Sequence, residues 1–473
     1  MKSLSKFLLL WLTLSLSMTL SAQTEYGAFT ATGSANPINM VSDYQCLGIN
    51  PANLGWSADN RQVHFGFGGV GVSFFTNAVT RNDISALFKD NQYTLQEKIA
   101  AALRYSDSKT STDLSLNSFG IAIQSEKYGG FAFSVRDRAS FTMQLNKMAA
   151  ELIWLGANSD YFDQKIYDAN NVLVGAVSTS PQPVASLFKG TNFSSYWIRD
   201  FQIGYGKTLF KTDEWDISGG IGIKIARGYS WVDVIVDDQR IYAYNAMSPV
   251  FQIDYNTPSP SSLPDDGKPR PVGRGFGLDL GFSAQIANQV RLGFSINDIG
   301  GLKWDGNVYR ASYEAQIKKI TTTGLGNEQL PDVFEAIVIE DELFKWEGID
   351  QVKVKYPSQL RMGAAWIGTP DLAIGSEVVF PLVKAPGSLP RPVIGVGLQF
   401  TPGDVVLLSA GLQAGGGYDF HIPFSIGFKP LPGWEFGFGT RDITIAFTKK
   451  SPNFSLAMGF LRFSFGKYKQ EQE

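Results

Sequence analysis

Apolar and polar residues alternate along short segments that recur from about residue 61 to residue 466. In the stretch 434–439, for example, Trp434, Phe436 and Phe438 alternate with a glutamate and two glycines. A period of two residues is typical of β-strands. The segments are joined alternately by a long polar loop and a tight turn, as in outer-membrane barrels, which have short periplasmic turns and long outside loops. The pattern therefore predicts an all-β fold, a transmembrane antiparallel β-barrel.

The predicted strands number about fourteen, an even count like that of bacterial barrels with both chain ends in the periplasm. The region 298–322 is a candidate for a further hairpin, which would change the number of strands by two. Short turns near residues 127, 211, 288, 369 and 402 fall on one side, and the long connections 76–112, 144–192, 237–274 and 298–354 fall on the other. The predicted strands are 63–74, 114–124, 131–143, 196–209, 216–236, 277–286, 290–297, 356–367, 372–381, 393–400, 405–413, 420–428, 434–447 and 454–465.

The N-terminus has the features of a secretory signal peptide. Two lysines precede the apolar run 7–20, which is too short to span a bilayer as a helix and is followed by Ser21 and Ala22. Cleavage before Gln23 is expected; an N-terminal anchor helix is the alternative. The predicted organisation is a signal peptide over 1–22, an N-terminal plug segment over 23–60, the barrel over 61–466 and a periplasmic tail over 467–473.

Composition favours one large sheet over several soluble domains. The 473 residues include 49 Gly, 34 Phe, 18 Tyr and 10 Trp, and only 18% are charged, which suits barrel strands and aromatic girdles. The formal net charge of -3 argues against a nucleic-acid partner. The single cysteine, Cys46, excludes an intrachain disulfide framework. One cysteine and two histidines also argue against a dedicated transition-metal site, and nothing indicates a cofactor.

The best catalytic constellation in the chain is a weak one. His421 lies two residues from Asp419 and four from Ser425 in a strand pattern, but no nucleophile motif accompanies them. A histidine that faces the lumen or the girdle is the favoured interpretation, so we predict that the protein is not an enzyme. Acidic clusters at 237–238, 265–266 and 340–342 are interpreted as solvated loop charge, with a bound cation as the alternative.

The long loops carry helical patterns. Thr94 and Glu97 match a capping box before an apolar helix face, and 144–155 and 332–344 are similar. The proline-rich stretch 257–271 is expected to be extended. The loop helices either cap the barrel mouth or offer an apolar landing site for a ligand or a protein partner.

A motif lies between the signal peptide and the first strand. The residues Asn50, Pro51 and Ala52 form an Asn-Pro-Ala tripeptide, which alone also suits an ordinary tight turn. With the secretory signal before it and a barrel after it, the segment resembles the plug of the hydrophobic-substrate transporter family named for the long-chain fatty acid transporter FadL, whose Bacteroidota relatives include the PorV-type secretion proteins. The resemblance implies a fourteen-stranded barrel plugged by its N-terminal segment. We expect Leu47, Ile49, Leu54 and Trp56 either to pack within the plug or to line a hydrophobic route for a ligand.

The expected function is transport of a hydrophobic small molecule through a plugged barrel in the outer membrane of a Gram-negative bacterium. The alternative is a non-transporting barrel in a surface assembly or secretion complex, which the length of 144–192 and 298–354 favours. The expected partners are outer-membrane lipid, a hydrophobic ligand and, in the alternative, surface or secretion proteins.

Overall fold

The computed structural model describes residues 29–78, 93–236, 241–253, 255, 257–312, 316–328, 333, 345–369, 371–385, 387–416, 418–447 and 453–468. The predicted signal peptide lies outside these ranges. Within them, no helix is both long enough and apolar enough to cross a membrane.

Fourteen strands form one closed antiparallel ring, and each pairs with the next along the chain. The predicted barrel and its strand number are therefore confirmed. In chain order the strands are β1 (Val63–Thr76), β2 (Lys109–Ser125), β3 (Gly129–Gln144), β4 (Asn192–Lys211), β5 (Trp215–Val236), β6 (Gly273–Ile286), β7 (Val290–Trp304), β8 (Gln359–Thr369), β9 (Leu372–Pro381), β10 (Val393–Phe400), β11 (Val406–Gly415), β12 (Phe424–Leu431), β13 (Trp434–Thr440) and β14 (Asn453–Phe465).

The ring closes where the last strand meets the first. The ladder between β1 and β14 runs from Val63 opposite Phe465 to Phe75 opposite Asn453. A closed ring has no strand edge, so backbone amides and carbonyls are paired even where water is absent. This closure is what allows a sheet of this length to face lipid.

The two faces of each strand differ in polarity. On β5, Ile221, Ile223 and Ile225 point outward and are exposed, whereas Gly222 and Lys224 point inward and are buried. Side chains of a strand alternate between its faces, so the outward series makes an apolar exterior and the inward series makes a polar lumen. Glycines at inward positions leave room in that lumen for another segment of the chain.

Connection length separates the two ends of the barrel. Six short connections, at 126–128, 212–214, 287–289, 370–371, 401–405 and 432–433, lie at the end that also holds the start of β1 and the end of β14. Seven longer connections lie at the other end: 77–108, 145–191, 237–272, 305–358, 382–392, 416–423 and 441–452. We call these the short-turn end and the long-loop end.

The described residues contain eight further strands and several helices, most of them in the long connections. The strands are Gln164–Tyr167, Leu173–Val177, Ile241–Met247, Val308–Ser312, Lys319–Ile320, Lys345–Gly348, Val352–Lys355 and Tyr418–His421. The α-helices are α1 (Phe29–Ser34), α2 (Pro37–Met40), α3 (Leu95–Tyr105), α4 (Lys147–Leu155) and α5 (Val184–Leu187). The 3-10 helices are Asp43–Cys46, Pro51–Gly55, Gly156–Asn158, Pro249–Phe251, Pro402–Asp404 and Ile443–Ala446.

Some boundaries differ from the sequence predictions. The predicted strand 434–447 stops at Thr440, because Asp442 caps a 3-10 helix by accepting a hydrogen bond from the Thr444 amide at 3.0 Å. The predicted strand 420–428 is divided into two pieces, with Pro423 between them. The capping box of α3 is present, since Thr94 and Glu97 each bond the other's backbone. The predicted helix over 332–344 lies outside the described residues except for Val333.

Because β14 closes the ring, we predict that the folded barrel resists unfolding by detergent only when β14 is present. Unheated protein in sodium dodecyl sulfate should migrate faster on a gel than boiled protein, because a closed barrel stays compact. Deletion of 453–473 should abolish this difference, since it leaves β1 and β13 with unpaired edges. Deletion of 469–473 is the matched control and should keep the difference; equal mobility of the full chain before and after boiling would contradict a closed ring.

Candidate functional site

The segment 29–60 lies inside the barrel and forms a plug. Its residues from 31 to 55 are buried, and they contact strands on opposite sides of the ring. The Ile38 amide donates to Glu377 Oε2 on β9 at 3.0 Å, and the Leu54 carbonyl accepts from Gln124 Nε2 on β2 at 3.2 Å. A segment that reaches both walls of a closed ring must occupy the lumen.

The Asn-Pro-Ala tripeptide makes a capped turn that is bonded to the wall. Asn50 precedes the 3-10 helix Pro51–Gly55, and its Oδ1 accepts from the Ala52 amide at 3.2 Å. Pro51 occupies the first helical position, where its missing N–H costs nothing. The Asn50 Nδ2 donates to the carbonyl of Phe282 on β6 at 3.0 Å. One side chain therefore both folds the turn and attaches it to the barrel.

Neighbouring residues complete this attachment. The Ile49 carbonyl accepts from Ser295 Oγ at 2.5 Å and from Asn297 Nδ2 at 2.9 Å, both on β7. The Asn53 Nδ2 donates to the carbonyls of Ile38 and Val41, each at 2.8 Å, and so ties the turn to the start of the plug. Irregular backbone is tolerated inside a barrel only where such partners satisfy it.

Glycines in one register row receive the turn. Gly130, Gly206, Gly220 and Gly281 lie opposite one another on β3, β4, β5 and β6, and we call them the glycine row. A Cβ added at Gly220 would lie 2.3 Å from the Ala52 nitrogen, and one at Gly206 would lie 2.3 Å from the Pro51 oxygen. Both contacts would be with backbone, which cannot move aside. The turn can therefore sit at this depth only because these positions have no side chain.

The same relation recurs elsewhere along the plug. The ring of Tyr44 lies against Gly120, and its hydroxyl lies against Gly66, the residue opposite Gly120 on β1. On the far wall, a Cβ at Gly397 of β10 would meet the Ser34 oxygen at 1.7 Å. The plug is thus fitted to glycines on several strands.

Three of the four apolar residues singled out in the sequence belong to the plug core. Leu47, Ile49 and Leu54 are buried in one cluster with barrel residues of β2 and β3. The remaining members of this cluster are Ala31, Ile38, Val41, Tyr44, Cys46, Ala122 and Ala132. Trp56 differs, because it is half-buried and its ring lies 4.1 Å from the guanidinium carbon of Arg291.

Buried ion pairs also hold the plug. Asp43 Oδ2 lies 2.6 Å from Arg462 Nη2 on β14, and Arg462 also pairs with Glu435 on β13. Glu377, which accepts from the Ile38 amide, pairs with Arg361 at 2.6 Å. Removing one partner of a buried pair leaves an uncompensated charge and costs about 3–5 kcal/mol. These pairs therefore fix the plug against the wall.

A charged layer fills the lumen between the plug and the long-loop end. Arg138 Nη2 lies 2.7 Å from Asp200 Oδ2, and the Tyr356 hydroxyl donates to the same carboxylate at 3.1 Å. Lys224 Nζ lies 2.7 Å from Asp298 and 3.0 Å from Asp279. The described lumen is thus obstructed at two levels, by the plug and by this layer.

A cavity of about 790 Å³ lies on the other side of the plug, at the short-turn end. Lys127, Asn288 and Asp404, which belong to short connections, line its outer part, and Trp56 and Arg462 line its inner part. Its volume is in the range typical of sites for small organic ligands. We call it the vestibule.

The two histidines of the chain have local partners. His421 Nε2 is 2.8 Å from Gln413 Oε1, and Ser425 lies against Gly33 of the plug. His64 Nε2 is 3.0 Å from Asp59 Oδ1. Burial raises the pKa of Asp59, but the hydrogen bond and charge of His64, together with the charge of Arg462 and the Arg61 amide, hold that pKa below its ordinary value. The Asp419 side chain and the clusters 237–238 and 340–342 lie outside the described residues.

The glycine row and the charged residues that hold the plug were not singled out from the sequence. The signal was present, since Gly204, Gly206, Gly220 and Gly222 alternate with outward apolar residues on β4 and β5. What the alternation cannot show is which segment approaches them, because that depends on register between strands.

Comparison with known proteins finds one matching family model and several solved structures of similar fold. The family model described as "Family of unknown function (DUF5723)" matches residues 51–367. A search of curated proteins found no match. The toluene transporter TodX of Pseudomonas putida is 11% identical with a TM-score of 0.43, covering 96% of this chain and 100% of its own.

Two further solved structures give similar values. The toluene transporter TbuX of Ralstonia pickettii is 11% identical with a TM-score of 0.44, over 93% of this chain and 97% of its own. A FadL homologue of Pseudomonas aeruginosa is 10% identical with a TM-score of 0.38, over 94% and 97%.

The glycine row predicts that a single methyl group will loosen the plug. Gly220→Ala places a Cβ against plug backbone, and overpacking of this kind costs about 1–3 kcal/mol, or about a 5- to 150-fold increase in plug opening. Cys46, the only cysteine, reports the change, because it is buried in the plug and burial raises the pKa of its thiol. Alkylation of Cys46 in folded protein should be faster in the variant.

The matched control is the neighbouring glycine. Gly219→Ala adds the same methyl group on the outward face, where it meets only the flexible end of Leu209. It should leave the alkylation rate at the wild-type value, and both variants should keep heat-modifiable mobility. Equal rates for the two variants would contradict the close fit.

Loss of the cap should loosen the plug independently. Asn50→Ala removes the hydrogen bonds to Ala52 and Phe282, and loss of a cap typically costs about 0.5–2 kcal/mol. Faster alkylation of Cys46 is expected, without loss of the heat-modifiable barrel. An alkylation rate like that of wild type would show that Asn50 does not hold the turn.

Proposed function

Because this chain belongs to the family of unknown function DUF5723, we propose its function from its own geometry: a conduit for a hydrophobic small molecule across the outer membrane of a Gram-negative bacterium, gated by the plug. The apolar exterior of the closed ring supports a membrane location. The secretory signal expected at residues 1–22 is consistent with it.

The observation that carries the proposal is how the plug is held. Among the described residues 29–60, the contacts with the wall are side-chain hydrogen bonds, ion pairs and close packing on glycine, and no strand pairing joins the plug to the ring. Individual hydrogen bonds of this kind contribute only about 0.5–1.5 kcal/mol net. A segment held in this way can rearrange while the fourteen-strand ring stays closed.

The apolar surfaces support a hydrophobic ligand. At the long-loop end, Leu95, Ile99 and Leu103 of α3 are 50%, 41% and 63% exposed on one helix face, which would serve as a landing site. Within the plug, Leu47 and Leu54 pack over Gly204, so displacement of the plug would bare an apolar strip of the wall. Beyond the plug the vestibule opens at the short-turn end.

The exit is to the periplasm or sideways into the bilayer. The vestibule supports the first route. The second is supported by β1, where the described ladder to β14 passes from Phe67–Leu461 to Val70–Met458 without pairing Gly68 or Gly69. Gly68 has φ +63° and no atom near its missing Cβ.

Uptake of oleate by cells that lack their own fatty-acid transporter tests the proposal. Cells producing the wild-type protein should take up labelled oleate faster than cells with empty vector, because the protein offers a path through the outer membrane. Deletion of 23–56 and Gly220→Ala should both change the rate, whereas Gly219→Ala should match wild type. Uptake that is the same in all five strains, with equal amounts of folded barrel, would refute plug-gated transport of this compound.

The exposed face of α3 also favours a second candidate, a non-transporting barrel in a surface or secretion assembly. Its apolar residues and the folded strands in the long connections offer a surface for a protein. Purification in mild detergent distinguishes the two functions. A stoichiometric protein partner that is lost in the variant Leu103→Glu favours assembly, and a bound acyl chain in an isolated monomer favours transport.

A further inference from the structure

The outer surface of four neighbouring strands changes from apolar to basic at one step. On β5 the outward residues Ile221, Ile223 and Ile225 are followed, toward the long-loop end, by Arg227. The other three strands show the same change. On β4, Arg199 follows the outward residues Tyr205, Ile203 and Phe201. On β6, Arg274 follows Phe282, Leu280, Leu278 and Phe276, and on β7 the outward series ends in Lys303.

These cations are neighbours in register. Arg199 lies opposite Arg227, Arg227 opposite Arg274, and Arg274 opposite Lys303. Lys303 in turn lies opposite Lys353 of the strand Val352–Lys355, which continues the sheet. We call the group the basic belt; its members are Arg199, Arg227, Arg274, Lys303, Lys353 and Lys355.

The acids near the belt do not balance its charge. Asp305 lies 2.6 Å from Arg274 and 3.5 Å from Lys303, and Asp137 lies 3.0 Å from Arg199. Among the described residues, Arg227, Lys353 and Lys355 make no ion pair. Like charges directly opposite each other on adjacent strands are destabilising. A row of this kind therefore favours an anion that contacts several of its members.

The location of the belt identifies the kind of anion. It begins where the apolar exterior ends, and Trp197 and Tyr229 stack there with ring centres 4.7 Å apart. Trp and Tyr concentrate at the boundary between hydrocarbon and headgroups. In the other direction the register row passes from Arg199 to the acidic Asp137 and then through Leu116, Val70 and Met458, which are apolar. The belt is thus confined to one side of the barrel rather than spread round it as general charge.

We propose that the basic belt binds the phosphate groups of membrane lipids in the leaflet at the long-loop end. A guanidinium presents paired N–H donors that match phosphate oxygens. The three arginines lie on adjacent strands, and neighbouring strands are about 4.8 Å apart. A lipid with two phosphates on its headgroup reaches more than one of them. The acyl chains of such a lipid lie on the isoleucine and phenylalanine rows below the belt.

Native mass spectrometry of the detergent-purified protein tests this site with lipid A as the probe. Wild type should retain diphosphorylated lipid A, and Arg227→Ala combined with Arg274→Ala should lower the affinity about tenfold or more. Lys353→Ala combined with Lys355→Ala gives a second variant, outside the fourteen-strand ring, in case the first folds poorly. The matched control is Lys127→Ala combined with Lys211→Ala, which removes two cations at the short-turn end and should retain lipid A like wild type.

Two further measurements distinguish binding of a lipid phosphate from binding of acyl chains alone and from binding of free phosphate. Lipid A without its phosphates should bind at least about tenfold more weakly, and inorganic phosphate at the same concentration as the lipid should not displace it. Equal retention by the belt variants and the control, equal binding of the dephosphorylated lipid, or displacement by inorganic phosphate would each overturn the proposal. None of these outcomes depends on transport, since the belt lies outside the lumen.

Discussion

The close approach of the plug backbone to the barrel wall is the contact on which the rest of the lumen depends. At the glycine row, plug atoms lie where a side chain would be, so the turn at Asn50 reaches wall carbonyls directly. This depth aligns the Ile49 carbonyl with Ser295 and Asn297. Had β4, β5 and β6 carried larger inward residues, the plug would be held away from these partners and its buried amides would be left without hydrogen bonds.

Charge acts together with this fit. Asp43 and Glu377 are buried at opposite parts of the plug interface, and each is compensated by an arginine from the wall. Such pairs add little net stability, because desolvation offsets most of the attraction. Their effect is on position: a displaced plug leaves Arg462 without Asp43 and Glu377 without the Ile38 amide, so intermediate positions are disfavoured. The glycines allow the plug to enter, and these charged contacts define where it stops.

Much of the barrel could be predicted from sequence because alternation and turn residues are local signals. All fourteen ring strands and the sides of their connections follow from them. Alternation does not predict a strand correctly where another local interaction competes with strand pairing. At Ile443–Ala446 the alternating residues form a 3-10 helix, because Asp442 caps it. Alternation also fails for strands that pair outside the ring, such as Val352–Lys355, because their partners are distant in the sequence.

The plug was expected from its motif, but its contacts were not. Asn50 could be recognised as a turn residue, since Asn-Pro is a local signal. That its amide would reach Phe282, and that Gly281 would lie beneath it, depends on the pairing of β5 with β6 across a long intervening connection. Leu47, Leu54 and Trp56 show the same limit, because apolar character alone does not distinguish a residue packed on Gly204 from one that lines the vestibule.

β5 shows how one strand serves several environments at once. Its inward series passes from Gly220 under the plug to Lys224 in the charged layer, while its outward series passes from Ile221 to Arg227. Because the side-chain period is two, a register slip of one residue would exchange the series and bring Arg227 into the lumen and Lys224 to the apolar exterior. Lys224 on the apolar exterior would be costly, so the charge that forms part of the layer also specifies the pairing of the strand. The register of the ring, the seat of the plug and the boundary of the apolar exterior are consequently determined together.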